Sequence, residues 1–509
     1  MVDYKKFFKD KKILMIQQRD WGITSGHPLA IQLNKLGAKI SAYTFKLGTA
    51  WFIKNQTDFK YDKIVVDEEI KEHSKKIVAE NNLSPYKFEE IFGFSIWKYV
   101  STLREYAYSF DKKYYYSYQQ NLTDDEILDY LLAVSHSIIS LIDDFAPDVI
   151  FSQYYGDFRH IIFNEYGKKK NIKMLGLIDT KINGGHMFSY DYLNRDNKFI
   201  QQIQKSNHSD QESKNYLVAK EYLDKFKKNF AKQISPENEL SYYGSAESQL
   251  ITIIEIKTLL RRLLRYAKNF RYTKSKVIFG RYDNPKLRFI FRDFLVHIKN
   301  KYGVSRIKYE KIDKLNNFAY FPLQVQPESS IDAFTNTYDN QINTIRLVSK
   351  NLPNAMTLVV KDHPVFYGRR SSSYLMKISN IPNVKLVSHK ENNFNLLNKM
   401  KVLFSINGSV LWEAAYLKKP AIVLGDNRMA ELLPNVLKLN SINLIYETTK
   451  EVMSKNFNNV VYDKLILNYL ISTLDVSFPA KFTGFSRKSD KILKEQNSKF
   501  IEEIYDALK

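Results

Sequence analysis

Residues 356–364, MTLVVKDHP, and 381–425, IPNVKLVSHKENNFNLLNKMKVLFSINGSVLWEAAYLKKPAIVLG, decide how this chain is read. Short apolar runs recur in them: Leu358-Val359-Val360, Val384 to Val387, Val402 to Ile406, and Ala421 to Leu424. Helix-forming segments separate the runs. This alternation is the pattern of a parallel α/β sheet. Polar residues follow the runs directly, and open α/β sheets bind ligands at the carboxyl ends of their strands. His363-Pro364 follows the first run, and Asn407-Gly408-Ser409 follows the third and opens a helix. Two polar clusters at two strand ends of one sheet point to a nucleotide-phosphate site.

The residue types suit that chemistry. A histidine at a strand exit stiffened by proline can donate to a phosphate oxygen, and Lys361, Arg369 and Arg370 supply cations beside it. Gly408 lets a ligand come close to the backbone. Ser409 falls at a helix N-terminus, where amide donors favour an anion. Glu413 lies one turn further on the same face and can reach a ribose hydroxyl. The bland reading of the same residues is a surface loop and a serine N-cap with a first-turn glutamate, worth about 1 kcal/mol. Upstream, Phe318 to Leu323 reads as the first strand of this sheet. Alternation puts Gln324 and Gln326 on one side after it. Glu328 precedes a helix start at Ser329-Ser330, where its carboxylate binds sugar hydroxyls or favours the helix N-terminus.

The N-terminal third repeats the theme. A strand at Lys12 to Gln17, a loop with Gly22, Gly26 and Pro28, a helix near Leu29 to Leu36 and a strand at Lys39 to Thr44 make a β-loop-α-β opening. Residues 50–145 read as mostly helical, with an amphipathic helix at Ile127 to Phe145. Strands follow at Asp148 to Ser152 and Lys173 to Leu177. Asp20, Asp157 and Asp179 are the carboxylates at strand ends, and each is a candidate general base for an acceptor hydroxyl. Each also reads as a helix cap. The organisation is an N-terminal Rossmann-like domain over 1–204, a basic helical segment over 205–314, a second Rossmann-like domain over 315–476 and a helical tail over 477–509.

At 509 residues, with 44% hydrophobic and 14% aromatic content, the chain can bury more than one core. It has no cysteine, which excludes a disulfide framework, a thiolate metal site and a thiol nucleophile. Its 77 basic residues against 55 acidic give a net charge of +22. Between Glu255 and Lys308 there are 16 Lys/Arg against 3 acidic residues. Such a field favours an anionic partner or is a solvated basic face. Within it, ITIIEIKTLLRRLLRY (251–266) mixes apolar and arginine positions at helical spacing. It reads as a membrane-surface helix or as an interdomain helix. Apolar stretches are too short to span a bilayer, and the N-terminal apolar run is too short for a signal peptide. The expected location is cytoplasmic, peripheral on the inner face of the membrane.

KDHPVFYGRR, IPNVKLV, SINGSVLWEAAYLKKPAIVLG and the upstream FPLQVQPESSID together resemble the bacterial capsule polysaccharide biosynthesis family over about residues 315–430. These are glycosyltransferases of GT-B type acting in surface polysaccharide assembly, some of which transfer Kdo from a CMP donor. The resemblance implies that His363 and Ser409 contact the donor phosphate, with Gly408 permitting the approach and Glu413 near the ribose. It places the base in the N-terminal domain without saying which residue it is.

The expectation is therefore two Rossmann-like domains facing a cleft in a GT-B-like α/β fold. The second would hold a nucleotide-activated sugar, with a CMP-sugar favoured. The first would hold a glycan or lipid-linked acceptor. No cofactor is expected, and no Asp-x-Asp motif suggests a metal. An anionic membrane surface and other capsule assembly proteins are the expected partners; no nucleic-acid motif is present. The alternatives are a teichoic-acid-type CDP-glycerol glycerophosphotransferase, a UDP-sugar 2-epimerase and a non-catalytic capsule assembly or export protein.

Overall fold

The computed structural model describes residues 3–18, 21–103, 123–205, 213–232, 251–270, 287–326, 328–480 and 490–509. Its frame is two sheets. The first contains β1 (Lys12–Gln17), β2 (Lys39–Thr44), β3 (Ile64–Val66), β4 (Val149–Ser152), β5 (Lys173–Asp179) and β6 (Gly185–Ser189). The second contains β7 (Phe318–Pro322), β8 (Thr357–Lys361), β9 (Val384–Val387), β10 (Val402–Ser405), β11 (Ala421–Val423) and β12 (Val436–Lys438). A final strand, β13 (Phe478–Pro479), returns to the first sheet.

Strand order explains where a ligand can sit. The second sheet runs β12-β11-β10-β7-β8-β9, with every pair parallel. The order reverses between β7 and β10, and such a switch point opens a crevice at the carboxyl ends of the strands. The first sheet runs β13-β6-β5-β4-β1-β2-β3, parallel from β5 to β3, with its own reversal between β1 and β4. Both halves are doubly wound, so the GT-B-like expectation of two Rossmann-like sheets is borne out.

The cores follow from strand alternation. On β1, Leu14 and Ile16 join one hydrophobic cluster, while Ile13 and Met15 join the cluster on the other face. A sheet covered on both faces needs strands apolar on both sides, as KILMIQ is. Each such side chain contributes about 1.5–3 kcal/mol by burial. The helix read as Ile127 to Phe145 starts earlier, at Asp124. Thr123 Oγ1 accepts from Glu126 N at 3.2 Å, and Thr123 N donates to Glu126 Oε2 at 2.8 Å, a capping box that fixes its start. The stretch read as mostly helical also holds β3, three residues at a sheet edge and too short to show a period.

The chain crosses back at its end. Helix Val460–Val476 packs into the second domain's core through Ile466, Tyr469 and Leu470. β13 then pairs with β6. Helix Asp490–Leu508 covers the first sheet, with Phe500, Ile501 and Ile504 in the cluster of Ile13 and Met15. Lys198 Nζ pairs with Glu503 at 2.8 Å and Asp506 at 2.6 Å. The two domains also interlock: Ala333 of the second domain lies in the first domain's core, and Ile182 and Met187 of the first lie in the second's. In the basic segment, helix Tyr216–Lys232 packs on helix Val460–Val476.

Candidate active site

A cleft of about 440 Å³ opens where the two sheets face each other, within the usual range for small-ligand sites. From the second domain His363, Gly408, Ser409 and Glu413 line it, with Gln324 and Glu328 at the β7 end. From the first domain Tyr154, Asp179, Lys181 and Asn194 line it. The exits of β7, β8 and β10 thus meet the β5–β6 hairpin.

A buried scaffold holds the β7 and β8 exits together. The guanidinium of Arg370, 8% exposed, donates to Asp362 Oδ1 and to the carbonyl oxygen of Gln324. Gln324 N donates to Gln341 Oε1 at 2.8 Å, and His363 N donates to Asp362 Oδ1 at 2.8 Å. Pro364 begins a 3-10 turn, Pro364–Phe366, closed by Phe366 N donating to His363 O at 2.8 Å. His363 is therefore held by its backbone on both sides. Burial pushes its imidazole down to about 4, against the pull of Asp362, and the charges of Arg370 and Lys361 add to the depression. At neutral pH the ring is uncharged and can offer one N–H.

At the β10 exit, Ser405 Oγ accepts from Gly408 N at 3.0 Å and from Gln324 Nε2 at 3.4 Å. A Cβ on Gly408 would lie 2.7 Å from Gln324 Nε2 and 2.8 Å from its Oε1. Glycine is needed there because Gln324 approaches it. Asn407 is tied down by Asn427, whose Nδ2 donates to Asn407 Oδ1. Ser409 precedes the seven-residue helix Val410–Tyr416 and makes no side-chain capping bond, so its hydroxyl is not spent on the helix. Glu413 N bonds Ser409 O at 3.4 Å, which sets Glu413 one turn behind Ser409.

Five of the residues read as ligand contacts, Arg370 of the scaffold among them, are not among the cleft-lining residues. Lys361 is buried, and its Nζ donates to Asn393 Oδ1 at 3.2 Å; Asn393 is the group that reaches the cleft. Pro364 shapes the turn. Arg369 lies over the Phe366 ring at 5.7 Å. Gln326 donates to Asp332 Oδ1 at 2.9 Å and accepts from Gln341 Nε2 at 3.1 Å, because the strand ends at Pro322 and its alternation does not carry on. Glu328 stands at the N-cap of helix Ser329–Asp332 and accepts from Ser330 Oγ at 3.1 Å.

The three candidate bases separate. Asp20 lies outside the described residues. Asp157 is the N-cap of helix Phe158–Lys169, accepting from Arg159 N at 3.1 Å. Burial raises its pKa, but Arg159 and His160 hold it well below the usual carboxylate range, and Arg159 continues to Asp67 at 2.7 Å. A carboxylate so held is a poor proton acceptor. Asp179, at the end of β5, lines the cleft and is 45% exposed. Burial pushes its carboxyl up, yet Lys181 outweighs this through its charge and hydrogen bonds and leaves the net shift downward. Lys181 N and Nζ donate to Asp179 Oδ1 and Oδ2 at 2.7 and 2.8 Å.

Asn393, Lys181 and Asn194 were not singled out from the sequence. Asn194 has φ 58°, and its buried Oδ1 has no hydrogen-bond partner among the described residues. Among the described residues no group of three or more His, Cys, Asp or Glu side chains is arranged to hold a metal ion.

No curated protein matches the chain. Among solved structures it is similar to KpsC, the beta Kdo 2,7 transferase of Thermosulfurimonas dismutans, at 11% identity over 79% of this chain and 98% of that one, with a TM-score of 0.30. It is also similar to UDP-GlcNAc 2-epimerase of Methanocaldococcus jannaschii in complex with UDP-GlcNAc and UDP, at 11% identity, 88% and 94% coverage and a TM-score of 0.24. A glycosyltransferase of Rickettsia africae ESF-5 is similar at 10% identity, 97% and 98% coverage and a TM-score of 0.24. Residues 250–430, which include β7 to β11 with His363, Ser409 and Glu413, match the sequence model of the family described as capsule polysaccharide biosynthesis protein. The resemblance read from the His-Pro and Asn-Gly-Ser elements is thereby borne out as a match of residues 250–430 to the sequence model of that family.

Proposed function

We propose that the chain is a glycosyltransferase of bacterial capsule or surface polysaccharide synthesis. It would take a sugar from a nucleotide donor, with a CMP-sugar favoured, and pass it to a glycan or lipid-linked acceptor at the inner face of the cytoplasmic membrane. The observation that carries this reading is the meeting of His363, Ser409 and Glu413 with Asp179 in one cleft. The donor nucleotide lies at the switch point of the second sheet. The neutral His363 ring and the Ser409 hydroxyl donate to its phosphate, and Glu413 accepts from a ribose hydroxyl. The acceptor lies against the first domain.

The acceptor hydroxyl oxygen attacks the anomeric carbon. The bond from that carbon to the phosphate oxygen breaks, and the nucleotide leaves with the electron pair. Asp179 takes the hydroxyl proton. Donors aimed at the phosphate stabilise the charge that builds on the leaving group. The test is release of free nucleotide from CMP-Kdo, and from CDP-glycerol as the competing donor, in the presence of a capsule-type acceptor. Acceptor-dependent CMP release, lost in Asp179→Asn, supports the reading. Turnover of CDP-glycerol instead favours a glycerophosphotransferase. Release from neither donor, with nucleotide still bound, favours a non-catalytic assembly role.

A further inference from the structure

Glycosyl transfer leaves the basic helices of the middle segment without a task. Helix Leu287–Ser305 has two sides. Ile290, Asp293, Asn300 and Val304 are buried at helical spacing, and Asn300 Nδ2 donates to Arg369 O at 3.3 Å on the second domain. At about 100° per residue, Phe291, Leu295, Ile298 and Tyr302 fall on the side turned away from that contact. All four are exposed, Phe291 at 47% and Leu295 at 63%. Lys299 and Arg306, also exposed, edge the stripe.

Helix Ile251–Phe270 packs alongside, with Arg262 Nη1 3.6 Å from Asp293 Oδ2. It repeats the pattern. Ile256, Leu260 and Leu264 recur every fourth residue and are exposed, Leu264 at 70%. Lys257 and Arg261 are exposed beside them. Among the described residues no helix is long and apolar enough to cross a membrane. Exposed apolar stripes edged by cations are instead the geometry of helices lying in a bilayer interface, with the apolar face at the acyl boundary and the cations at anionic headgroups.

We propose that this helix pair docks the protein on an anionic lipid surface, with Leu264, Phe291 and Leu295 entering the acyl boundary. A second copy of the chain is the poorer occupant, because two segments of 16 Lys/Arg against 3 acidic residues repel each other. The dock joins the donor site through the backbone. Gly368 has φ +73°, and a Cβ there would lie 2.3 Å from Lys301 Cγ, so the loop from Pro364 to Arg370 seats directly on helix Leu287–Ser305. Docking therefore orients the loop that carries His363 relative to the lipid surface. The proposal extends the peripheral location above and does not depend on the donor's identity.

The test is sedimentation of the full-length protein with phosphatidylglycerol-phosphatidylcholine vesicles and with pure phosphatidylcholine vesicles. Anionic vesicles should bind the protein, and Leu264→Ser, Phe291→Ser and Leu295→Ser combined should lower the partition about tenfold or more. The same variant should keep the wild-type thermal midpoint and the wild-type thermal response to nucleotide. Lys257→Glu with Lys299→Glu should also weaken binding. Failure of the wild type to bind, or serine-variant binding equal to wild type, overturns the proposal. So does a vesicle-free wild-type dimer that the serine variant loses, which assigns the face to a second copy. Vesicle binding without a nucleotide response fails the donor reading alone, and the converse fails docking alone.

Discussion

The guanidinium of Arg370 donates to the main-chain oxygen of Gln324, 46 residues earlier in the chain, and to the Asp362 carboxylate. One buried cation thus ties the exit of β7 to the exit of β8 and fixes the wall on which His363 sits. Removing it leaves the buried Asp362 uncompensated, and Arg370→Ala should cost about 3–5 kcal/mol in urea unfolding. Arg370→Lys should recover only part of this, since an ammonium cannot bridge two acceptors in the same fork. A loss below about 0.5 kcal/mol for Arg370→Ala would remove the scaffold from the account.

His363 makes folding sensitive to acid. Its ring titrates near 4 in the folded chain, mainly through burial, against 6.5 for an unperturbed histidine. Between those values the unfolded chain binds a proton that the folded chain does not. The stability it contributes is present above about 6.5 and is lost as pH falls toward 4. In His363→Gln the drop in unfolding free energy from pH 7 to pH 5 should be smaller than in the wild type. Equal drops would mean that the ring is not held neutral by burial.

Gly408 and Gln324 should behave as a coupled pair. Gly408→Ala pushes the Gln324 amide, the movable end of a side chain, so its stability cost should stay near about 1–2 kcal/mol. The displaced amide enters the cleft, and nucleotide affinity should fall more than stability does. In a Gln324→Ala background the glycine substitution should cost little, and calorimetric titration around the double-mutant cycle measures the difference. Additive effects would contradict the contact.

Asp157 and Asp179 should part cleanly. Asp157→Asn weakens a buried ion pair and should cost about 1–3 kcal/mol of stability. Asp179→Asn, half-exposed at a hairpin, should leave stability within about 0.5 kcal/mol and lower kcat about a hundredfold or more. Thermal unfolding and turnover on the same preparations decide it. The opposite pattern would move the base to Asp157; full activity in both would point to Asp20.

Much of this was readable in advance where one signal sufficed. The strands Lys12–Gln17, Lys39–Thr44 and Val384–Val387 are short, mostly apolar runs, and the polar residues after β8 and β10 point to the candidate cleft because strand exits converge there. Contacts made across the sheet were not readable. Asn393 reaches the cleft through Lys361 and Tyr320, which are remote in sequence. Lys181 and Asn194 sit on turns with positive φ that give no periodic signal. Alternation misled at Gln326, because it was carried past the end of β7. Asp157 also reads as a helix cap, and its pairing with His160 three residues on makes that the reading that holds.

The most direct measurement is a thermal-shift screen of the wild type and His363→Ala against CMP, CDP, UDP, GDP and ADP. A nucleotide at about 100 times its dissociation constant stabilises a folded protein by about 2.7 kcal/mol. The account predicts selective stabilisation by a cytidine nucleotide, abolished in the variant while the unliganded midpoint stays close to wild type. Stabilisation by UDP alone would overturn the CMP-sugar donor. No response to any of the five would contradict the claim that this cleft holds a nucleotide.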